Sequence, residues 1–354
     1  MKGRTGAARA AGLLVGYALD VRLGDPQRHH PVALFGAGAG RLERRLYADT
    51  RLAGVGYTGV LVGGTVLGTV LVQRAVRSSA ATVSSRDVAR TVTEFATVTA
   101  ATFTALGGTS LVREGDVMAR RLESGDLPGA RQRLAHLCAR DASELGPADL
   151  ARATVESLAE NTSDAVVAPL VWGSLLGAPG LLGYRAANTL DAMVGYRSPR
   201  YRNFGWASAR FDDLLNLLPA RMAALLVFVV TGRRDALVVW RRDAHLHPSP
   251  NAGPVEAATA GALGVRLGGT NTYDGEAESR GVLGDGRPVE VADVARANRL
   301  SRRVSAAAVV VAAGTALALG TRGPTRDRDP SRARVPDGPA RRSLARSSWT
   351  RMTA

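Results

Sequence analysis

The sequence predicts an all-α fold: a polytopic membrane helical bundle with helical and loop-rich extramembrane segments. Three observations carry this. Long uncharged stretches recur, at Gly54 to Gln73, Ala165 to Tyr184 and Val304 to Thr321, each close to the roughly 20 residues that cross a bilayer core as a helix. They are rich in Gly, Ala and Thr, the residues that let helices pack closely in lipid. No alternation of short apolar strands with helical segments appears, which argues against a parallel sheet. Across 354 residues, 45% are hydrophobic, yet the mean hydropathy is only -0.02. The membrane segments therefore share the chain with substantial polar regions.

In chain order, Lys2, Arg4 and Arg9 precede an apolar run from Ala10 to Leu19 and mimic a secretory signal. The run passes into Leu19-Asp20 and Gly24-Asp25-Pro26 without a small-residue cleavage site, so we read a retained first helix. After Gly54 to Gln73 comes a weaker candidate, Thr91 to Leu111, interrupted by Glu94. Between Gly115 and Asn161, Leu122, Leu134, Leu137, Leu145, Leu150 and Leu158 recur among charges, predicting two or three helices outside the hydrocarbon. Cys138 is placed in a helix around Arg131 to Arg140.

Pro169, Gly177, Pro179 and Gly180 break the stretch Ala165 to Tyr184, which is either a span or a re-entrant hairpin. A span would put the polar clusters flanking it on opposite faces of the membrane. Met222 to Gly232 is a further weak candidate, and His245 to Asn298, with Pro248, Pro250 and Pro254, reads as a loop-rich folded extramembrane segment. Residues 1–320 form a single membrane-embedded catalytic domain in this reading. Residues 321–354 hold nine Arg against three Asp, a net of +6, with four prolines, and read as a disordered basic tail. Anionic lipid is its expected partner, and nothing supplies a nucleic-acid reading head. Arginines in every loop leave the orientation open.

Composition excludes several chemistries. Cys138 is the sole cysteine, so no intrachain disulfide or cysteine zinc site exists. Lys2 is the sole lysine, which rules out a phosphate-binding-loop lysine and a Schiff-base lysine within the fold.

The densest polar cluster runs from Glu156 through Asp164. In a continuous helix Glu156, Glu160 and Asp164 recur every fourth residue and share a face. Three repelling carboxylates there call for a neutralising partner, and hard divalent cations prefer such oxygens. Ionisable groups beside an apolar segment are expensive and usually functional. Downstream, Arg185, Asn188 and Asp191 are followed by Tyr196, Arg200 and Tyr201. Guanidinium groups pair bidentately with phosphate or carboxylate, although an interfacial aromatic and arginine belt has the same composition. Next come Arg210, Asp212, Asp213, Asn216 and Arg221, with Asp212 and Asn216 on one helix face. The last cluster is a Pro-rich run from Asp243 through His247, Ser249 and Asn251 to Glu256, matched near the N-terminus by the Pro-fixed His30. Pro-flanked loops present side chains rigidly, but the histidines lack a diagnostic metal spacing.

Taken in order, LDVRLGDPQRHHPV from Leu19, ESLAENTSDAVVAPLVWG from Glu156, YRAANTLDAMVGYRSPRYRNFGWASARFDDLLNLLPAR from Tyr184, HLHPSPNAGPVEAATAGALGVRLGG from His245 and the Tyr273 to Asn298 region resemble the CobD/CbiB family of cobalamin biosynthesis, the adenosylcobinamide-phosphate synthases. The resemblance covers most of residues 10–300. It implies a multi-pass cell-membrane enzyme, a carbon–nitrogen ligase. Such an enzyme joins a propionate of (adenosyl)cobyric acid to (R)-1-amino-2-propanol O-2-phosphate, or to aminopropanol, with ATP and Mg2+. The Arg-rich tail and the short apolar length of the first helix depart from the pattern without touching its motifs.

On that basis Glu156, Glu160 and Asp164, with Asp212 or Asp213, are expected to hold the metal. Arg185, Arg200 and Arg210 would bind phosphates, and Asn188, Asn251 and Asn271 would bond the corrin amides. Asp191, Tyr196, Tyr201, Asn216 and Ser249 complete the substrate-binding set, and His247, His30 or a carboxylate would take the amine proton. Two other classes remain: a carrier of corrinoids or anions, which predicts hydropathy repeats that the sequence lacks, and a membrane scaffold gathering pathway enzymes. A homo-oligomer or association with other pathway enzymes is compatible with either.

Overall fold

The computed structural model describes residues 2–24, 30–82, 84–138, 140–196, 198–273 and 276–321, with the side chains of residues 2 and 270–279 left aside. The tail, residues 322–354, lies outside the described residues. The chain is almost entirely helical, as the apolar lengths require. It opens with α1 (Lys2–Leu23), α2 (Pro31–Leu46), α3 (Arg51–Ala80), α4 (Arg86–Ala105) and α5 (Gly108–Glu123). Pro31 at the start of α2 and the Thr50 and Ser85 hydroxyls before α3 and α4 mark helix beginnings, where a missing or capped N–H is favourable. In α1, Gly12 and Gly16 lie against Val98 and Thr102 of α4 so closely that a Cβ at Gly16 would stand 2.5 Å from Thr102 Cβ. That approach makes α1 a central helix packed on α4.

The middle of the chain supplies α6 (Leu127–Leu134), α7 (Pro147–Thr162), a π-helical turn (Ser163–Val167), α8 (Ala168–Leu176) and α9 (Ala178–Val194). The uncertain stretch resolves into a helical hairpin. Gly177 has φ +70°, a left-handed conformation suited to glycine at a helix end, and Pro179 sits in the first turn of α9. The nine residues of α8 rise only about 13 Å, less than half of a ~30 Å hydrocarbon core. Arg9 donates to the carbonyls of Ser174 and Leu175 at 3.2 and 2.9 Å, capping α8 at the turn. Both polar clusters flanking the hairpin therefore emerge at the same end.

The rest is α10 (Trp206–Thr231), α11 (Arg234–Asp243), a short 3-10 turn (Ala244–Leu246), α12 (Ala252–Leu263), an antiparallel hairpin β1 (Leu267–Tyr273) and β2 (Glu276–Leu283), and α13 (Val291–Thr321). Two local expectations need correction. Cys138 lies beyond α6, which stops at Leu134, its amide N–H donating to the Leu134 carbonyl. The loop-rich segment contains a fully buried helix, α12. Pro254 falls within its first turn, where proline costs little, and alanines and glycines fit its tight surroundings.

Four helical runs are long and apolar enough to cross a membrane: α3, the α4–α5 run Arg86–Glu123, α10 and α13. Their outward leucines and valines, such as Leu52, Val60, Leu67, Leu214, Val229, Val310 and Leu317, are exposed. Contiguous apolar surface of that kind fits a lipid environment.

Candidate acidic site

A π-turn follows the first two carboxylates of the first polar cluster. Regular spacing would stack Glu156, Glu160 and Asp164, but the wider turn beginning at Ser163 changes the register, as such bulges commonly do at functional sites. Glu160, at the end of α7, and Ser163 and Asp164, in the turn, line one cavity of about 90 Å3. Opposite them stand Asp191 of α9 and Asp212, Asp213 and Asn216 of α10. Ser249, Asn251 and the start of α12 close the cavity. Three segments far apart in the chain thus bring five carboxylates to one small space, and a fourth closes it.

Some of these groups are oriented by amides. Asn216 donates to Asp212 Oδ2 at 2.9 Å and Asn188 to Asp212 Oδ1 at 3.4 Å. Tyr184 Oη sits 2.9 Å from Asn216 Oδ1 and 3.2 Å from the Asp164 carbonyl oxygen. Asn251 accepts from Arg221 at 3.1 Å and donates to the Asp213 carbonyl at 2.8 Å. Arg210, largely exposed, pairs with Asp213 Oδ2 at 3.2 Å. Among the described residues, the carboxylates of Glu160, Asp164 and Asp191 make neither a hydrogen bond nor an ion pair.

The electrostatic cost appears as raised pKa values. Burial, opposed by Arg280 and reinforced by Glu156, pushes Glu160 up. Burial and the charges of Asp212, Glu160 and Asp191 push Asp164 well up, with Arg185 opposing. Asp191 rises to about 6 through burial and its neighbours Asp213 and Glu160. Burial and mutual repulsion thus both oppose ionisation of these carboxyls.

Other expected residues sit elsewhere. Glu156 is turned to a buried clamp: Arg140 donates to it at 2.6 Å, Arg152 at 3.2 Å and the Gly268 amide at 2.8 Å. It fastens β1 to α7 and does not line the cavity. Arg200 and Tyr201 both bond Glu43 of α2 at 3.0 Å, and Arg200 lies 4.3 Å over the Tyr47 ring. Tyr196 is half exposed. His30 accepts the Val32 amide at 3.2 Å and so caps α2. Arg185 reaches Asn188 Oδ1 at 3.4 Å, next to the cavity. The side chain of Asn271 lies outside the described residues.

Two groups went unsingled in the sequence. Ser163, 2% exposed, lines the cavity, and its hydroxyl finds no partner among the described residues. Glu256, 1% exposed, accepts no hydrogen bond there either. His247 Nε2 lies 3.7 Å from Glu256 Oε1, and burial holds the Glu256 carboxyl well above the usual range, with Glu156 and Glu160 adding to the rise. The Ser249 amide donates to His247 Nδ1 at 3.0 Å. The available signal for Glu256 was a single carboxylate within an uncharged Ala- and Gly-rich run.

As they stand, no three acidic, histidine or cysteine groups among the described residues form a ready-made set for one metal ion. Magnesium seldom uses such a set. It keeps several waters and takes one or two carboxylates together with substrate phosphates. The donor chemistry of the cavity fits a hard cation, whereas about 90 Å3 holds only a few water-sized groups at roughly 10–15 Å3 each. A group the size of a nucleotide or a corrin ring does not fit inside it.

Comparison with known proteins agrees with the motifs. The family model described as CobD/Cbib protein matches residues 13–301. A cobalamin biosynthesis protein CobD from Mycobacterium tuberculosis (strain ATCC 25618 / H37Rv) is 52% identical over 314 residues, 87% of this chain and 96% of the relative. Its counterpart in Chromobacterium violaceum is 42% identical over 292 residues, 82% of this chain and 91% of the relative. The Geobacter metallireducens protein of the same name is 41% identical over 285 residues, 77% of this chain and 86% of the relative. No solved structure matches the chain. The matched span contains every helix that lines the acidic cavity, and the chain belongs to the CobD/Cbib family.

Proposed function

We propose that this protein is a membrane-embedded amide ligase of cobalamin biosynthesis. It joins a propionate of (adenosyl)cobyric acid to the amine of (R)-1-amino-2-propanol O-2-phosphate, or of aminopropanol, at the expense of ATP. The corrinoid carboxylate takes the γ-phosphoryl group of ATP and releases ADP. The amine then attacks the acyl carbon, phosphate departs, and the amine proton passes to a base. Membership of the family supports the substrates, and one observation carries the site: five carboxylates from three distant segments line a single cavity.

A divalent cation, magnesium in the cell, would offset charge on the transferred phosphoryl group. One or two of Asp164, Asp191 and Asp212 would hold it, with waters and substrate phosphate completing its shell and Glu160 and Asp213 at the margins. Asn188 and Asn216 orient the Asp212 carboxylate. Arg185, bonded to Asn188 near the cavity, would meet a phosphate, a role for which a guanidinium suits better than the missing lysine. His247, fixed by the Ser249 amide, stands next to Glu256 as a proton acceptor.

The test uses purified protein in detergent with cobyric acid, aminopropanol phosphate, ATP and Mg2+. Formation of a product with the mass of cobinamide phosphate, dependent on ATP, is expected. No product over a range of conditions, together with corrinoid flux in reconstituted vesicles, would overturn the ligase reading in favour of a carrier.

A further inference from the structure

We propose that the corner formed by the end of α2, the start of α3 and residues 198–206 is a docking surface for anionic phospholipid headgroups.

The corner is held together as one piece. α2 packs Phe35, Ala39 and Leu42 into a cluster with Leu190 and Val194 of α9 and Tyr57 of α3. The Tyr47 hydroxyl donates to the Arg200 carbonyl at 3.1 Å, Asn203 donates to Asp49 at 3.1 Å, and the Phe204 ring centroid lies 5.0 Å from that of Tyr57. With its apolar side used inward, α2 leaves Arg41, Arg44 and Arg45 exposed.

Charge gives the corner its chemistry. Residues 39–51 and 198–206 hold Arg41, Arg44, Arg45, Arg51, Arg200 and Arg202 against two acids, Glu43 and Asp49. All six arginines are exposed. Glu43 is engaged by Arg200 and Tyr201, and Asp49 accepts from Asn203. Among the described residues the other five arginines form no ion pair. Their excess charge is spread over a face rather than gathered round a pocket, which suits a layer of headgroups better than one soluble anion.

Depth is an independent argument. α3 is long and apolar enough to cross a membrane, and its second residue, Leu52, is 81% exposed, with Val55, Val60 and Leu67 exposed further along. Arg51, the first residue of α3, therefore stands where hydrocarbon gives way to headgroups, and its guanidinium lies 5.1 Å over the exposed Trp206 ring. Tryptophan rings and the heads of long cationic side chains both favour that level. A lipid seated here sets its phosphate among guanidinium groups, which pair with it bidentately, and lays its chains along the outward leucines and valines of α3.

The experiment is a lipid titration. Full-length protein in a non-ionic detergent is titrated with phosphatidylglycerol or phosphatidylcholine, bound lipid is counted by native mass spectrometry, and the melting temperature is followed in parallel. Phosphatidylglycerol is expected to bind at least about tenfold more tightly than phosphatidylcholine, to bind less as NaCl is raised, and to lift the melting temperature. R41Q/R44Q/R45Q is expected to lose at least about tenfold in phosphatidylglycerol affinity, and R41K/R44K/R45K, which keeps the charges, is expected to retain most of it. R234Q/R241Q/R266Q removes as many charges from exposed positions outside the four candidate spans and is expected to bind as wild type does. Equal affinity for the two lipids, undiminished binding by the α2 glutamine variant, or an equal loss in both glutamine variants would overturn the proposal. Displacement of phosphatidylglycerol by ATP or inorganic phosphate at fixed ionic strength would overturn it in favour of a soluble anion. Should the α2 variant fail to fold, R51Q/R202Q puts the same question to the other side of the corner.

Discussion

Glu94 and Asp164 are both acidic groups in an apolar helical bundle, and their surroundings are opposite. Glu94, whose side chain is 4% exposed, accepts Arg9 at 2.9 Å and Arg77 at 3.3 Å. Asp164 has no bonded partner among the described residues and faces other carboxylates. The two also stand at opposite ends of the same hairpin. Arg9 ties Glu94 to the carbonyls at the end of α8, while the start of that hairpin presents Asp164 and its return limb presents Asp191. A neutralised buried charge holds this fold together. The uncompensated one is the group our proposal assigns to a ligand, since ionisable groups at membrane depth are usually functional.

The contrast can be broken by exchange of roles. Asp164→Ala should lower the rate of product formation by ~100-fold or more, the consequence of losing about 3 kcal/mol of charge stabilisation in the transition state. The same variant should melt no lower than wild type, since it removes a repelled charge. A large loss of stability instead would make Asp164 a structural residue. Glu94→Ala should do the reverse, destabilising the fold by about 3 kcal/mol because it strands Arg9 and Arg77, as read from thermal unfolding in detergent. Its Mn2+ binding per folded molecule should be unaltered.

A pH titration sharpens the same point. With the Asp191 carboxyl raised to about 6 by burial and by Asp213 and Glu160, protons compete with the cation below that value. Mn2+ affinity should therefore climb as the pH rises from about 5 towards 7 and level off above it. A flat profile across that range would show that Asp191 is not a ligand.

The smallest expected effect concerns Glu256. Because its folded pKa is raised, the folded state holds the carboxyl proton more tightly than the unfolded chain does. Stability from that proton is complete below the unfolded value, near 4.3, and is lost as the pH rises through the folded one. Glu256→Gln keeps the shape and removes the titration. It should be more stable than wild type at about pH 8, by roughly 1–3 kcal/mol, with a smaller difference near pH 5. Equal pH dependence in the two proteins would show that Glu256 keeps an ordinary pKa.

Much of the bundle was legible in the sequence, since uncharged length alone locates α3, α10 and α13. The hairpin was legible only as one of two alternatives. Gly177 and Pro179 suit a turn as well as a kinked span, and the Arg9 contacts that pin the turn come from more than 160 residues away. For the site, Glu160, Asp164, Asp191, Asp212 and Asp213 stood out by composition and do meet at one cavity. Glu156 looked equivalent because a regular helix would place it on the same face. Arg140, Arg152 and the Gly268 amide give it another task. Arg200 and Tyr201 have the local chemistry of an oxyanion site, yet Glu43 and Tyr47, over 150 residues earlier, engage them. Such pairings depend on the tertiary fold, which spacing along the chain does not encode.

The most direct test of the central claim is the Mn2+ affinity of wild type, Asp164→Asn and Glu94→Gln measured side by side in detergent. Asp164→Asn should weaken binding at least tenfold, the least expected for loss of a ligand group, while Glu94→Gln should bind as wild type does. Equal loss in both variants, or undiminished binding by Asp164→Asn, would contradict the assignment of the unpaired carboxylates to a cation.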